Sequence, residues 1–356
     1  MSYQSVVPII LDVSIGLSDT RCVLDQPFTF SVRLPNSGPY TTPEAVERVA
    51  VAGDRLGFEA LTVHDHISRS RRQNRHFSAG SVDLVDDEQD PILYEAMITL
   101  AYAAGVTRTI LLFPTGITLP TRDPRLLAKQ VATLHELSGG RFRLGITIGA
   151  SADEFAIMEV PFNERGRRTD ESLEVITRIF DPAPLTSFDG RSVRFVDGEF
   201  YPKPRRLPIW ICGKGEAALR RVVRYGEGFL PAGFTLEAYR ERLPLLEREL
   251  AAAARPRDEV ICGLETFIAV RRNADQAFRD AASTLVYWHK DVEVGRECSL
   301  IGTPTMVIER IKGYADLGVR HFELKFIARS LDDQLEMMQL VAEQVVPAFS
   351  PSSSSQ

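Results

Sequence analysis

From residue 28 onward, short apolar runs alternate with longer amphipathic stretches rich in Ala, Leu, Glu and Arg. This is the strand-then-helix rhythm of βα units. The pattern predicts eight strands, over residues 28–34, 60–64, 109–113, 142–148, 208–212, 228–231, 260–270 and 321–326. A helical stretch follows each one: 43–56, 91–104, 124–137, 164–179, 215–225, 236–254, 274–287 and 331–346. Thr42 before Pro43 and Asp123 before Pro124 each put a capping side chain ahead of a proline at the first helical position. Eight such units in 356 residues predict an α/β fold, a (β/α)8 TIM barrel with insertions at its C-terminal face. A doubly wound open sheet is the alternative.

The barrel is expected to occupy residues 28–349. Three stretches exceed what it needs, 67–90, 181–207 and 290–301, the last followed by a further helix over 303–317. The first and third come after the second and seventh strand-helix positions, where they would hang over the C-terminal face as lids. Residues 1–27 read as an N-terminal extension, and 350–356, SPSSSSQ, as a low-complexity tail expected to be disordered.

Composition narrows the partners. Forty-two Lys and Arg against 48 Asp and Glu leave a net charge of −6, so there is no basic surplus to neutralise a nucleic acid. No apolar run approaches the roughly 20 residues that cross a bilayer, and the N-terminus lacks the basic region and cleavage site of a secretory signal. A cytoplasmic protein is expected. Cys22, Cys212, Cys262 and Cys298 form no CxxC pair and read as unpaired thiols.

The densest chemistry is TVHDH, residues 62–66, where the second strand delivers two imidazoles and a carboxylate to the rim. His66 is the candidate general acid or base; the alternative is that a rim histidine only fills local hydrogen bonds. His64 and, beside the third insertion, Trp288 are candidates for substrate contact. His64 and His66 share a strand face, but no third ligand accompanies them, so no metal is expected. The fifth strand runs through CGKGE, residues 212–216, straight into a helix. Gly213, Lys214, Gly215 and Glu216 thereby offer backbone N–H groups and a helix N-terminus to an anion such as a phosphate. Thr115 and Gly116 after the third strand, and Thr147, Gly149 and Ser151 after the fourth, line the mouth with small residues suited to a flat ring; ordinary tight loops are the alternative. The basic cluster Arg69, Arg71, Arg72, Arg75 and His76 reads as a solvated loop. No GxSxG, GxxxxGK[ST], HExxH or GxGxxG motif is present.

The stretches PRLLAKQVATL (124–134), LSGGRFRLG (137–145), LGFE (56–59), VPFNERG (160–166), PKP (202–204) and PIWI (208–211) together resemble the luciferase-like flavin and deazaflavin oxidoreductase superfamily. The likeness runs from about residue 28 to 349. It implies a (β/α)8 barrel, a reduced flavin-type cofactor at the C-terminal ends of the strands, and a homodimer. By this resemblance Asp65 contacts the cofactor and His66 sits near its reactive part, with His64 where a serine is usual. Thr115 and Gly116 fall where relatives bulge the backbone, often with a non-proline cis peptide, and Gly213 and Lys214 fall on the phosphate turn. The wording of LPNSGPYTTPEAVERVA (34–50) and of 164–166 is most like the F420-dependent branch, and Ile148 stands where luciferase has an arginine. Ala150 replaces the catalytic glutamate of the branch's sugar-phosphate dehydrogenases. The expectation is therefore F420-dependent hydride transfer to a C=C, C=O or C=N bond of an uncharged or weakly charged small molecule. Two alternatives remain: an FMN-dependent monooxygenase served by a separate flavin reductase, and a non-catalytic flavin-binding protein, which would tolerate loss of His66.

Overall fold

The computed structural model describes residues 27–38, 40–68, 92–289 and 291–350. The N-terminal extension, nearly all of the first lid with its basic cluster, the tail, Cys22 and the side chain of Trp288 lie outside the described residues. In chain order the elements are β1 (Thr29–Arg33), α1 (Pro43–Arg55), β2 (Ala60–Val63), α2 (Ala96–Val106), β3 (Leu111–Pro114), β4 (Ile117–Thr118), α3 (Pro124–Leu137), β5 (Leu144–Thr147), α4 (Ala152–Ile157), α5 (Arg165–Phe180), β6 (Thr186–Asp189) and β7 (Arg194–Gly198). They continue with β8 (Ile209–Ile211), α6 (Glu216–Tyr225), β9 (Gly228–Phe229), α7 (Leu236–Ala252), β10 (Ile261–Val270), α8 (Ala274–His289), α9 (Val292–Glu297), β11 (Leu300–Gly302), α10 (Pro304–Ala315), β12 (Val319–Phe326) and α11 (Leu331–Gln344). Both anticipated caps form: Thr42 Oγ1 accepts from the Ala45 amide at 3.0 Å, and Asp123 Oδ1 from the Arg125 amide at 2.9 Å.

The main sheet is parallel and runs β3-β2-β1-β12-β10-β9-β8-β5-β4. β3 and β4 are two parts of one stave, broken at Thr115–Gly116; the first part pairs with β2 and the second with β5. A further parallel bridge, Leu112 to Phe142, links the same stave to the strand that follows. The sheet therefore closes into the eight-stave barrel that the apolar rhythm predicts. Alternate residues of each stave face the lumen. Low in the barrel, Arg143 lies over the Trp210 and Phe113 rings, 4.6 and 5.1 Å from their centroids, and its guanidinium bonds Glu59 at 2.8 Å. His321 packs beside them against Thr29 and Ser31.

Two features of the sequence reading are corrected. The helix of the seventh unit is α10, which packs between α7 and α11 and on β12, whereas α8 packs on α9, β10 and β11. The cause is the length of β10: its last residues, Ile268 to Val270, run past the barrel and pair with β11, so α8 starts above the rim. The insertion is thus α8, α9 and β11 together, and the helix taken as extra belongs to the barrel. Nor do all insertions crown the C-terminal face. The antiparallel hairpin β6–β7 follows helix α5 and precedes β8, which joins it to the N-terminal ends of the staves. Both α8 and α10 are amphipathic, so their patterns alone could not tell them apart.

Candidate active site

The second stave delivers His64, Asp65 and His66 to the C-terminal rim, where βα loops build the sites of such barrels. His66 is about one-third exposed, and its Nδ1 lies 3.2 and 3.1 Å from the two carboxylate oxygens of Glu154 on α4. Ser151, at the N-cap of α4, accepts from the Glu154 amide at 3.3 Å and so fixes the start of that helix. The Ile67 amide donates to Glu154 Oε1 at 2.8 Å. A carboxylate on Nδ1 leaves Nε2 as the ring nitrogen that can carry a proton to or from a reacting atom. Ala150 leaves the position after Gly149 without a carboxylate, and Glu154, four residues further on, brings one to the histidine instead.

Burial raises the Glu154 carboxyl, but the bonds from His66 and from the Ile67 and Ser68 amides outweigh it and hold its pKa below the ordinary value. A carboxyl whose pKa is lower folded than unfolded stabilises the fold fully above the unfolded value of about 4.3, and loses that contribution as pH falls through the folded value. Glu154→Gln should therefore show a smaller loss of stability between pH 7 and the acid range than the parent chain, measured by denaturant unfolding; parallel curves would contradict the assignment.

Asp65 is buried and turned toward the protein. Arg122 binds both its carboxylate oxygens, and the Thr118 amide donates to Oδ2 at 2.8 Å. Arg122 also bonds Glu95 at 2.9 Å. Asp65 thus ties the second stave to the third and to the helix that follows it. The peptide between Thr115 and Gly116 is cis, as the resemblance implies. A Cβ on Gly116 would stand 2.8 Å from the Ile146 carbonyl carbon and 3.0 Å from Cys212 Sγ, so only glycine fits. Gly149 has φ +75°, and a Cβ there would meet Thr118 Cγ2 at 2.6 Å. Thr147 ends β5 beside them. His64 is buried with its ring centroid 5.4 Å from that of His66.

The neighbouring stave β8 leads through Gly213 and Lys214 into α6, whose N-cap Gly215 has no side chain to satisfy the first-turn amides. Those amides, with Glu216 contributing backbone only, are the donors an anion would meet. Lys214 leans away from the turn and across β9, its Nζ 5.9 Å from the Phe234 ring centroid.

Sequence reading missed a second group. Arg33 on β1 bonds Glu323 through Nε at 2.8 Å, Glu265 through Nη2 at 3.2 Å and the Thr115 hydroxyl at 3.0 Å. Thr62 donates to Glu323 at 2.6 Å, and Lys325 pairs with Glu265. Burial raises Glu265, yet Lys325 and Arg33 draw its pKa below the ordinary carboxylate value. These residues face the lumen from β1, β10 and β12, opposite the glycine-lined staves.

The family model for luciferase-like monooxygenases matches residues 27–293. An F420-dependent glucose-6-phosphate dehydrogenase of Intrasporangium calvum is 25% identical over 330 residues, which cover 84% of this chain and 92% of that protein. Among solved structures, an F420-dependent secondary alcohol dehydrogenase in complex with an F420-acetone adduct matches with a TM-score of 0.77 at 15% identity, over 92% of this chain and 100% of that one. The FMN-bound oxygenating constituent of 3,6-diketocamphane monooxygenase from Pseudomonas putida matches with a TM-score of 0.72 at 16% identity, over 90% of this chain and 99% of that one. At such identities these two structures establish the fold.

Proposed function

The chain belongs to the luciferase-like monooxygenase family, and from that premise we propose that it is an oxidoreductase that holds F420 across the barrel mouth and exchanges hydride with a small organic molecule. The observation that carries this reading is the rim itself: a histidine held by Glu154 stands beside staves stripped to Gly116 and Gly149, next to the uncapped N-terminus of α6. The residues fit a flat tricycle ending in a phosphate. The Gly215 turn and the first amides of α6 would hold the phosphate, and the Thr115–Gly116 and Gly149 backbones would leave room for the ring. Reduced F420, when bound, supplies a hydride to the carbon of a C=C, C=O or C=N bond. His66 hands over the accompanying proton from Nε2 while Glu154 keeps Nδ1 protonated and the ring in place. Asp65 and Arg122 keep the second and third staves in register beneath it. The sugar-phosphate reaction named for the curated relative is not carried over, because Ala150 stands at the glutamate position.

An FMN-dependent monooxygenase, with a separate reductase, is the second reading, favoured by the FMN-bound structure that shares the fold. A homodimer goes with either. Anaerobic incubation with reduced F420 and a panel of enones, ketones and imines should return the oxidised deazaflavin absorbance faster than without protein. No acceleration with any acceptor, together with oxygen-dependent product formation from reduced FMN, would overturn the first reading in favour of the second.

A further inference from the structure

The rim is built in two unlike halves. β3, β5 and β8 lead into Gly116, Gly149 and Gly213, with little side chain over the opening, whereas β1, β10 and β12 raise Arg33, Glu265 and Lys325 into it. The upper charges each keep a sliver of surface, 7% for Arg33, 6% for Glu265 and 5% for Lys325, while Glu323 and His321 below them have none. They form the floor of the barrel mouth. Phe267 supplies an apolar wall, its ring centroid 5.2 Å from Lys325 Nζ and 6.3 Å from the His289 ring on the α8 insertion.

We infer that this charged half is the substrate subsite, and that it takes a molecule bearing a carbonyl-type oxygen, a ketone or a carboxylate, received by the Lys325 ammonium. The inference rests on the cofactor reading above for the occupant of the glycine half. Three features of the floor favour such an oxygen. An ammonium has three donors, and Glu265 engages one side of it. Arg33 and Lys325 stand against Glu265 and Glu323, so the group carries no surplus negative charge that would repel such an oxygen. Finally, a cation so thoroughly desolvated gains most from a partner that is anionic or strongly dipolar. His289, pushed below its ordinary value first by burial and then by Lys214 and Lys325, adds no competing charge. Within the expected uncharged or weakly charged acceptors, this selects one with a definite oxygen handle beside an apolar body that lies on Phe267.

Calorimetric titration of the full chain, with and without F420, by benzoate, acetophenone and toluene as single-ring probes tests this. Both oxygenated probes should bind at least about tenfold more tightly than toluene, the scale of a charge-assisted hydrogen bond. Lys325→Met combined with Glu265→Gln, which removes the pair as a neutral unit, should erase that preference, while Lys325→Arg should retain most of it. Benzoate ahead of acetophenone would identify a carboxylate, and the reverse order a carbonyl. Toluene binding equally well, no measurable binding of either oxygenated probe, or a preference that survives in the double variant would overturn the subsite. The wild-type ranking of the three probes needs no variant to fold. Failure of F420 to bind, with the Lys325-dependent preference intact, would remove the cofactor reading and leave the oxygen subsite standing.

Discussion

Replacing His66 by alanine should lower turnover by about 10²- to 10⁴-fold, the usual contribution of a positioned general acid, with little change in cofactor affinity. The imidazole reaches the rim from the second stave and is held through Nδ1 by Glu154, so its removal deletes the proposed proton donor without disturbing the Gly215 turn at the other side of the opening. Glu154→Gln should have a smaller effect in the same direction, since it weakens the hold on the ring and keeps the ring. Steady-state oxidation of reduced cofactor by a fixed acceptor, measured beside a direct cofactor titration, separates the two quantities. Unchanged turnover in the alanine variant would remove His66 from the mechanism.

The second large effect is on stability. Arg33→Met should lower the melting temperature by roughly 4–7 °C. Arg33 is the shared partner of Glu323 and Glu265 and also bonds Thr115, all at buried positions. Removing one member of a buried ion pair costs about 3–5 kcal/mol, because the remaining charge stays desolvated. A chain of this size shifts by about 1.3 °C per kcal/mol. Among the described residues, Glu323 then keeps the Thr62 hydroxyl and Glu265 keeps Lys325. Adding Glu323→Gln to Arg33→Met should recover part of the loss, because the orphaned carboxylate is neutralised. A melting temperature equal to that of the parent would contradict the network.

Much of this arrangement was legible in the sequence. Apolar runs placed the staves, and Thr42 and Asp123 marked two helix starts, because caps and prolines act over a few residues. The rim histidine and the glycine turn were likewise visible, since each is a contiguous segment at the end of a strand. What failed was long-range. Nothing local says that α10 rather than α8 covers the seventh stave; that depends on β10 outrunning the barrel to pair with β11. Arg122 meets Asp65 from 57 positions away, and Glu154 finds His66 only because the short helix α4 folds back over the rim. One signal was present and unused. In VRHFELKF, residues 319–326, His321, Glu323 and Lys325 fall at alternate positions of a strand whose other face, after Arg320, is Phe322, Leu324 and Phe326. Three polar groups on one face of a barrel strand with helices packed on its outer side point into the lumen.

The most direct test of the central claim is equilibrium binding of F420 and, separately, of FMN to the purified chain at physiological salt, with inorganic phosphate as a competitor. The site proposed above predicts that F420 binds more tightly than FMN and that phosphate weakens it, because the α6 turn is the proposed seat of the cofactor's phosphate. Failure of both cofactors to bind, or F420 binding indifferent to phosphate, would contradict it.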